Sequence, residues 1–117
     1  MSAATAPISG RHVIGGRALS DAAEAFESHD PSRWEQIVGT FPKGTPAEAK
    51  AAVAAARDAY PMWRRTSRIH RAELFNKLGQ LIERDVDQLA NLMSREVGKV
   101  VTECRAEVIE GLHMVQY

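Results

Sequence analysis

Four stretches carry residue types whose spacing could do chemistry. The single cysteine, Cys104, could act as a thiolate nucleophile. It stands, however, on a stripe of Val101, Cys104, Val108, Leu112 and Val115, spaced three and four apart, and no histidine shares its face at helical spacing. A cysteine in that position reads as a small buried hydrophobe. Glu110-x-x-His113 puts a carboxylate and an imidazole on one helical face, the pattern of di-metal helical bundles. Such a site needs a second pair, and none of His12, His29 or His70 has a glutamate three residues earlier. With Glu107, the trio reads as a solvated or tunnel-lining face. Gly39-Thr40-Phe41-Pro42-Lys43-Gly44-Thr45 has the glycine spacing of a phosphate-binding loop. No lysine follows the second glycine, and Pro42 removes an amide donor, so the stretch reads as a strand-to-helix junction. Arg64, Arg65, Arg68 and Arg71 around His70 could grip a phosphate. Without a groove-reading fold beside them, they read as a solvated connector.

The composition narrows the classes further. The 117 residues balance fifteen Lys and Arg against fifteen Asp and Glu, so no global field favours nucleic acid or an acidic membrane. A content of 44% hydrophobic and 26% charged residues is ordinary for a globular protein. The apolar runs are too short to span a bilayer. The opening MSAATAPISG lacks the charged start and apolar run of a signal peptide. One cysteine makes no internal disulfide, which places the expectation in a reducing cytoplasm.

The elements that must position these residues fall in two blocks. Residues 1–10 read as a flexible leader. His12–Ile14 and Arg17–Leu19 flank Gly15-Gly16 as a short hairpin. A second hairpin joins Phe26–His29 to Ile37–Phe41 through a turn at Asp30-Pro31-Ser32-Arg33. After Gly44 the period becomes helical. Thr45-Pro46-Ala47-Glu48 is a capping box with proline at the first helical position. Ala49, Val53, Ala56, Tyr60 and Trp63 form the apolar stripe of a first helix, which Pro61 should end or kink near Tyr60. A second helix starts near Ser67, with Leu74, Phe75, Leu78, Leu81 and Ile82 facing a core. A third starts at a second capping box, Asp85-Val86-Asp87-Gln88, and ends at Gly98. The fourth carries the Cys104 stripe and runs to Tyr117 with no capping signal. The fold class expected is therefore α+β, with short N-terminal β-hairpins followed by four α-helices.

The order of these motifs resembles the N-terminal portion of the aldehyde dehydrogenase superfamily. The stretches are HVIGGR, ESHDPS, QIVGTFPKGT, AEAKAAVAAARDAYPMWRR and RAELFNKLGQLIERDVDQLANLMSREVGK. The resemblance implies that residues 11–117 are an incomplete N-terminal part of a nucleotide-binding domain, from a larger α/β enzyme. It implies a parent that oxidises aldehydes to acids with NAD or NADP and forms a homo-oligomer. In that family a cysteine thiolate attacks the aldehyde, hydride passes to the nicotinamide, and a glutamate-activated water releases the acid. Those groups and the cofactor loops would lie beyond Tyr117, so this chain alone should bind no cofactor and catalyse nothing. Two features do carry over. Ser28, through its backbone, and Glu96 would contribute to a monovalent cation site. Ala106 and Glu110 would face the substrate entrance tunnel, where Glu110 departs from the family's apolar residue. The fourth helix should then need a partner outside this chain for its stripe. The rival expectation is a stand-alone helical module that binds another chain without catalysis.

Overall fold

Gly15 and Gly16, at φ 59° and 76°, close the first hairpin by taking backbone angles that only glycine holds without strain. They join β2 (His12–Ile14) to β3 (Arg17–Leu19), with His12 opposite Leu19 and Ile14 opposite Arg17. The computed structural model describes residues 6–19 and 24–117. Of the leader expected over residues 1–10, the first five lie outside the described residues. Ile8–Ser9 form β1, parallel to β5 (Arg33–Pro42), with Ile8 beside Gly39 and Ser9 beside Thr40. β4 (Ala25–Asp30) completes a three-stranded sheet in the order β1-β5-β4. Its hairpin turn is held by the Asp30 carboxylate, which accepts from Ser32 N at 2.9 Å and Ser32 Oγ at 2.6 Å.

The chain divides into two compact units. The first holds residues up to His29 and Arg33–Arg65; the second holds Asp30–Ser32 and Thr66–Tyr117. In the first unit, α1 (Pro46–Arg65) starts at the expected capping box. Thr45 N donates to Glu48 Oε2 at 2.6 Å, and Glu48 N donates to Thr45 Oγ1 at 3.4 Å. The helix does not end at Tyr60 but continues through Pro61 to Arg65. Proline's fixed φ is itself helical, and its lost bond is to the carbonyl of Arg57. Arg57 is exposed, so water can satisfy that carbonyl and the helix survives. None of the twenty residues of α1 is buried. Val53 is 63% and Tyr60 60% exposed, so the expected stripe exists on the helix but is not covered.

The second unit corrects the helix count. One helix, α2 (Arg68–Val97), replaces the expected second and third, and the described residues form three helices rather than four. Two features explain why Asp85 starts no new helix. Its carboxylate is held by the Arg84 guanidinium through two bonds of 2.8 and 2.7 Å and is not spent on a cap. In addition, Gly79, Ile82, Val86, Ala90 and Met93 continue one stripe at three- and four-residue spacing across the supposed break. Ser67 caps the start, accepting from His70 N at 3.1 Å. Gly98 caps the end at φ 75°, its amide donating to Ser94 O at 2.8 Å.

α3 (Val101–Gln116) follows within a few residues and packs on α2. The core consists of Val86 and Ala90 from α2 with Cys104 and Val108 from α3, flanked by Ile82, Met93 and Ile109. Leu112 is also buried and lies across from Gly79. Cys104, Val108 and Leu112 of the α3 stripe therefore find a partner inside this chain, against the expectation of a missing one, while Val101 stays 40% exposed. Leu74, Phe75, Leu78 and Leu81, expected in the core, are 41–48% exposed. They lie on the α2 face that this packing leaves uncovered.

Three outcomes follow from this packing. Val86→Asp puts a carboxylate into the α2–α3 seam and should cost about 3 kcal/mol or more, whereas Val53→Asp on exposed α1 should stay within about 0.5 kcal/mol. Denaturant midpoints check the contrast, and equal losses would refute the burial pattern. Gly98→Ala should cost about 1–2 kcal/mol for its left-handed backbone alone, and its new Cβ would stand 3.2 Å from Pro31 Cβ. The third concerns pH. The Thr45 amide, then the Thr45 hydroxyl, hold the Glu48 carboxyl below its ordinary value. A depressed folded value means that the contribution is complete above the usual glutamate range and is lost as pH falls through the folded value. Amide exchange at Thr45 should thus speed up on acidification, relative to a base-catalysed reference peptide, and Glu48→Gln should remove that dependence.

Candidate functional site

The face offered for chemistry is the outer side of α3 with the corner that leads into it. The corner is tied by two side chains. Ser94 Oγ donates to Lys99 O at 2.6 Å, fixing the chain just past the Gly98 cap. Lys99 Nζ pairs with Glu107 Oε1 two turns into α3. The Glu107 carboxylate, accepting from Lys99, holds that ammonium above its usual range, with partial desolvation opposing. On the other side of the seam, Arg105 Nε donates to Asp87 Oδ1 of α2 at 2.9 Å. Both pairs are exposed and screened by water; the rotation of α3 about its axis follows from the burial of Cys104, Val108 and Leu112 against α2.

That rotation turns Ala106 and Glu110, one helical turn apart, to the exposed side, while Cys104, Val108 and Leu112 go inward. Glu110 and His113 lie on one face, as their spacing requires. Their closest approach is 3.9 Å, Oε2 to Nδ1, with side chains 75% and 63% exposed. This is beyond hydrogen-bond distance, and the pair is open to water. Among the described residues no group of three or more His, Cys, Asp or Glu is gathered to hold a metal ion. Cys104 is fully buried, at 0% exposure, which keeps its sulfur from any substrate in this fold.

The two residues assigned to a cation site fall in different units. Ser28 is half-buried on β4 in the first, and Glu96 is exposed near the end of α2 in the second. Ser28 has an organised neighbourhood. His29 Nδ1 lies 2.7 Å from Trp34 O; a carbonyl only accepts, so Nδ1 carries the proton there. The imidazole stacks on the Trp34 ring at 4.8 Å, and its Nε2 lies 3.3 Å from Glu27 Oε2.

The glycine-spaced loop is the junction that its composition implied. Gly39 lies inside β5 because a Cβ there would come 2.9 Å from Ile8 O of the neighbouring strand. Its smallness serves strand approach and not phosphate. Lys43 pairs with Glu24 at 3.1 Å, and Thr45 and Glu48 answer each other across the helix start. In the arginine-rich stretch, Arg64 and Arg65 end α1 while Arg68, His70 and Arg71 begin α2. His70 Nδ1 lies 3.2 Å from Glu73 Oε2.

The pairings that flank the α3 face were not singled out in the sequence. Asp87 and Arg105 are 18 residues apart, and nothing in either local pattern joins them. Lys99 carried a weaker signal, as the residue immediately after a glycine cap.

Comparison with known proteins places this arrangement. The sequence profile of the Aldehyde dehydrogenase family matches residues 18–117. The mitochondrial acylating methylmalonate-semialdehyde/malonate-semialdehyde dehydrogenase of Rattus norvegicus is 34% identical over 92 residues, covering 79% of this chain and 17% of its own. A probable enzyme of the same description from Caenorhabditis elegans is 32% identical over 116 residues, 99% of this chain and 22% of that one. Among solved structures, the 1-pyrroline-5-carboxylate dehydrogenase from Thermus with bound NAD superposes with a TM-score of 0.90 at 32% identity, over 95% of this chain and 21% of that one. The NAD-dependent aldehyde dehydrogenase from Sinorhizobium meliloti gives 0.89 at 29%, over 96% and 23%. This chain thus spans about a fifth of the length of the relatives it matches. The small strands and three helices of the described residues are a fragment of their fold, and the chain belongs to the aldehyde dehydrogenase family.

Proposed function

We propose that this chain is the N-terminal segment of an NAD(P)-dependent aldehyde dehydrogenase, and that it is inactive by itself. The observation that carries the reading is the family match over residues 18–117, supported by likeness to an enzyme solved with NAD bound. The whole protein would attack an aldehyde with a cysteine thiolate, pass hydride to the nicotinamide, and leave an acyl thioester. Release by water gives the carboxylic acid. The first curated relatives are described as acylating, which favours a second reading in which the acyl group passes to an acceptor other than water. Their aldehydes, the methylmalonate and malonate semialdehydes, are the first substrates to try.

Within the whole protein, this segment supplies structure near the substrate path and no reacting group. Ala106 and Glu110 are the candidates for the tunnel wall, supported by their shared exposed face on α3. Ser28 and Glu96 are candidate donors to a monovalent cation, on the resemblance alone. Assembly into a homo-oligomer and a cytoplasmic location belong to the same reading, although the Rattus norvegicus relative is described as mitochondrial. A non-catalytic module that binds another chain is the rival, favoured by the exposed Val53, Tyr60 and Phe75.

Incubating the 117-residue chain with NAD or NADP and a panel of aldehydes should give no reduced cofactor. Turnover that Cys104→Ser abolishes would overturn both the inactivity and the structural role of the cysteine. The family role is tested by exchange: this segment replaces the matching segment of the Thermus dehydrogenase. A folded chimera with NAD-dependent oxidation within about tenfold of the parent supports the reading, and a folded but inactive one favours the module.

A further inference from the structure

We draw no further inference here: the strongest candidate, the exposed apolar stripe of α1 formed by Val53, Tyr60 and Trp63, carries nothing because nothing in the structure shows what covers it.

Discussion

The close approach of α3 to α2 is the contact on which the helical unit depends. Small side chains make it possible. Ala90 and Cys104 sit at the middle of the seam at 2% and 0% exposure, and Gly79 lets Leu112 and Val115 come within van der Waals reach of where a Cβ would stand. Val86 and Val108 fill the space between, each contributing about 1.5–3 kcal/mol of burial. A cysteine is suited to this place because it is compact and weakly polar. Its burial also removes it from chemistry, so packing and inertness have the same cause.

The helix termini make that seam possible at so short a connection. Gly98 ends α2 in the left-handed conformation, and α3 begins only three residues later. Val100 supplies no side-chain cap to α3. The Ser94 hydroxyl on the Lys99 carbonyl and the Lys99–Glu107 pair hold the corner instead. The first unit relies on a different device. There the reciprocal bonds of Thr45 and Glu48 start α1, while β5 binds β1 on one side and β4 on the other.

These local solutions bear on function through what they leave exposed. The α3 face with Ala106 and Glu110 is outward because the opposite face is spent on α2. α1 and the first half of α2 show large apolar side chains to solvent. Each such half-exposed side chain forgoes part of the about 1.5–3 kcal/mol that full burial contributes, and several together are a considerable share of a domain's net stability of about 5–15 kcal/mol. Relatives about five times as long have this same segment fold.

Several elements were legible in the residues themselves, because their cause is local. Gly15-Gly16, the Thr45–Glu48 box, Ser67 and Gly98 each satisfy backbone groups within a few residues, and all four features are present. The family was legible too, as an order of motifs. Three things were decided only by the folded surroundings. Asp85 carries the spacing of a cap, but its neighbour Arg84 takes the carboxylate and the α2 stripe packs unbroken on α3. Pro61 has the chemistry of a stop, yet its exposed turn tolerates it. Periodicity marked apolar stripes on α1 and on the first half of α2 as well as on α3, but periodicity records only that a face is apolar. Whether that face is buried depends on which other surface reaches it. Among the described residues the α2–α3 seam supplies one for α3 and the middle of α2, since burial is a property of two surfaces and a sequence pattern describes one at a time.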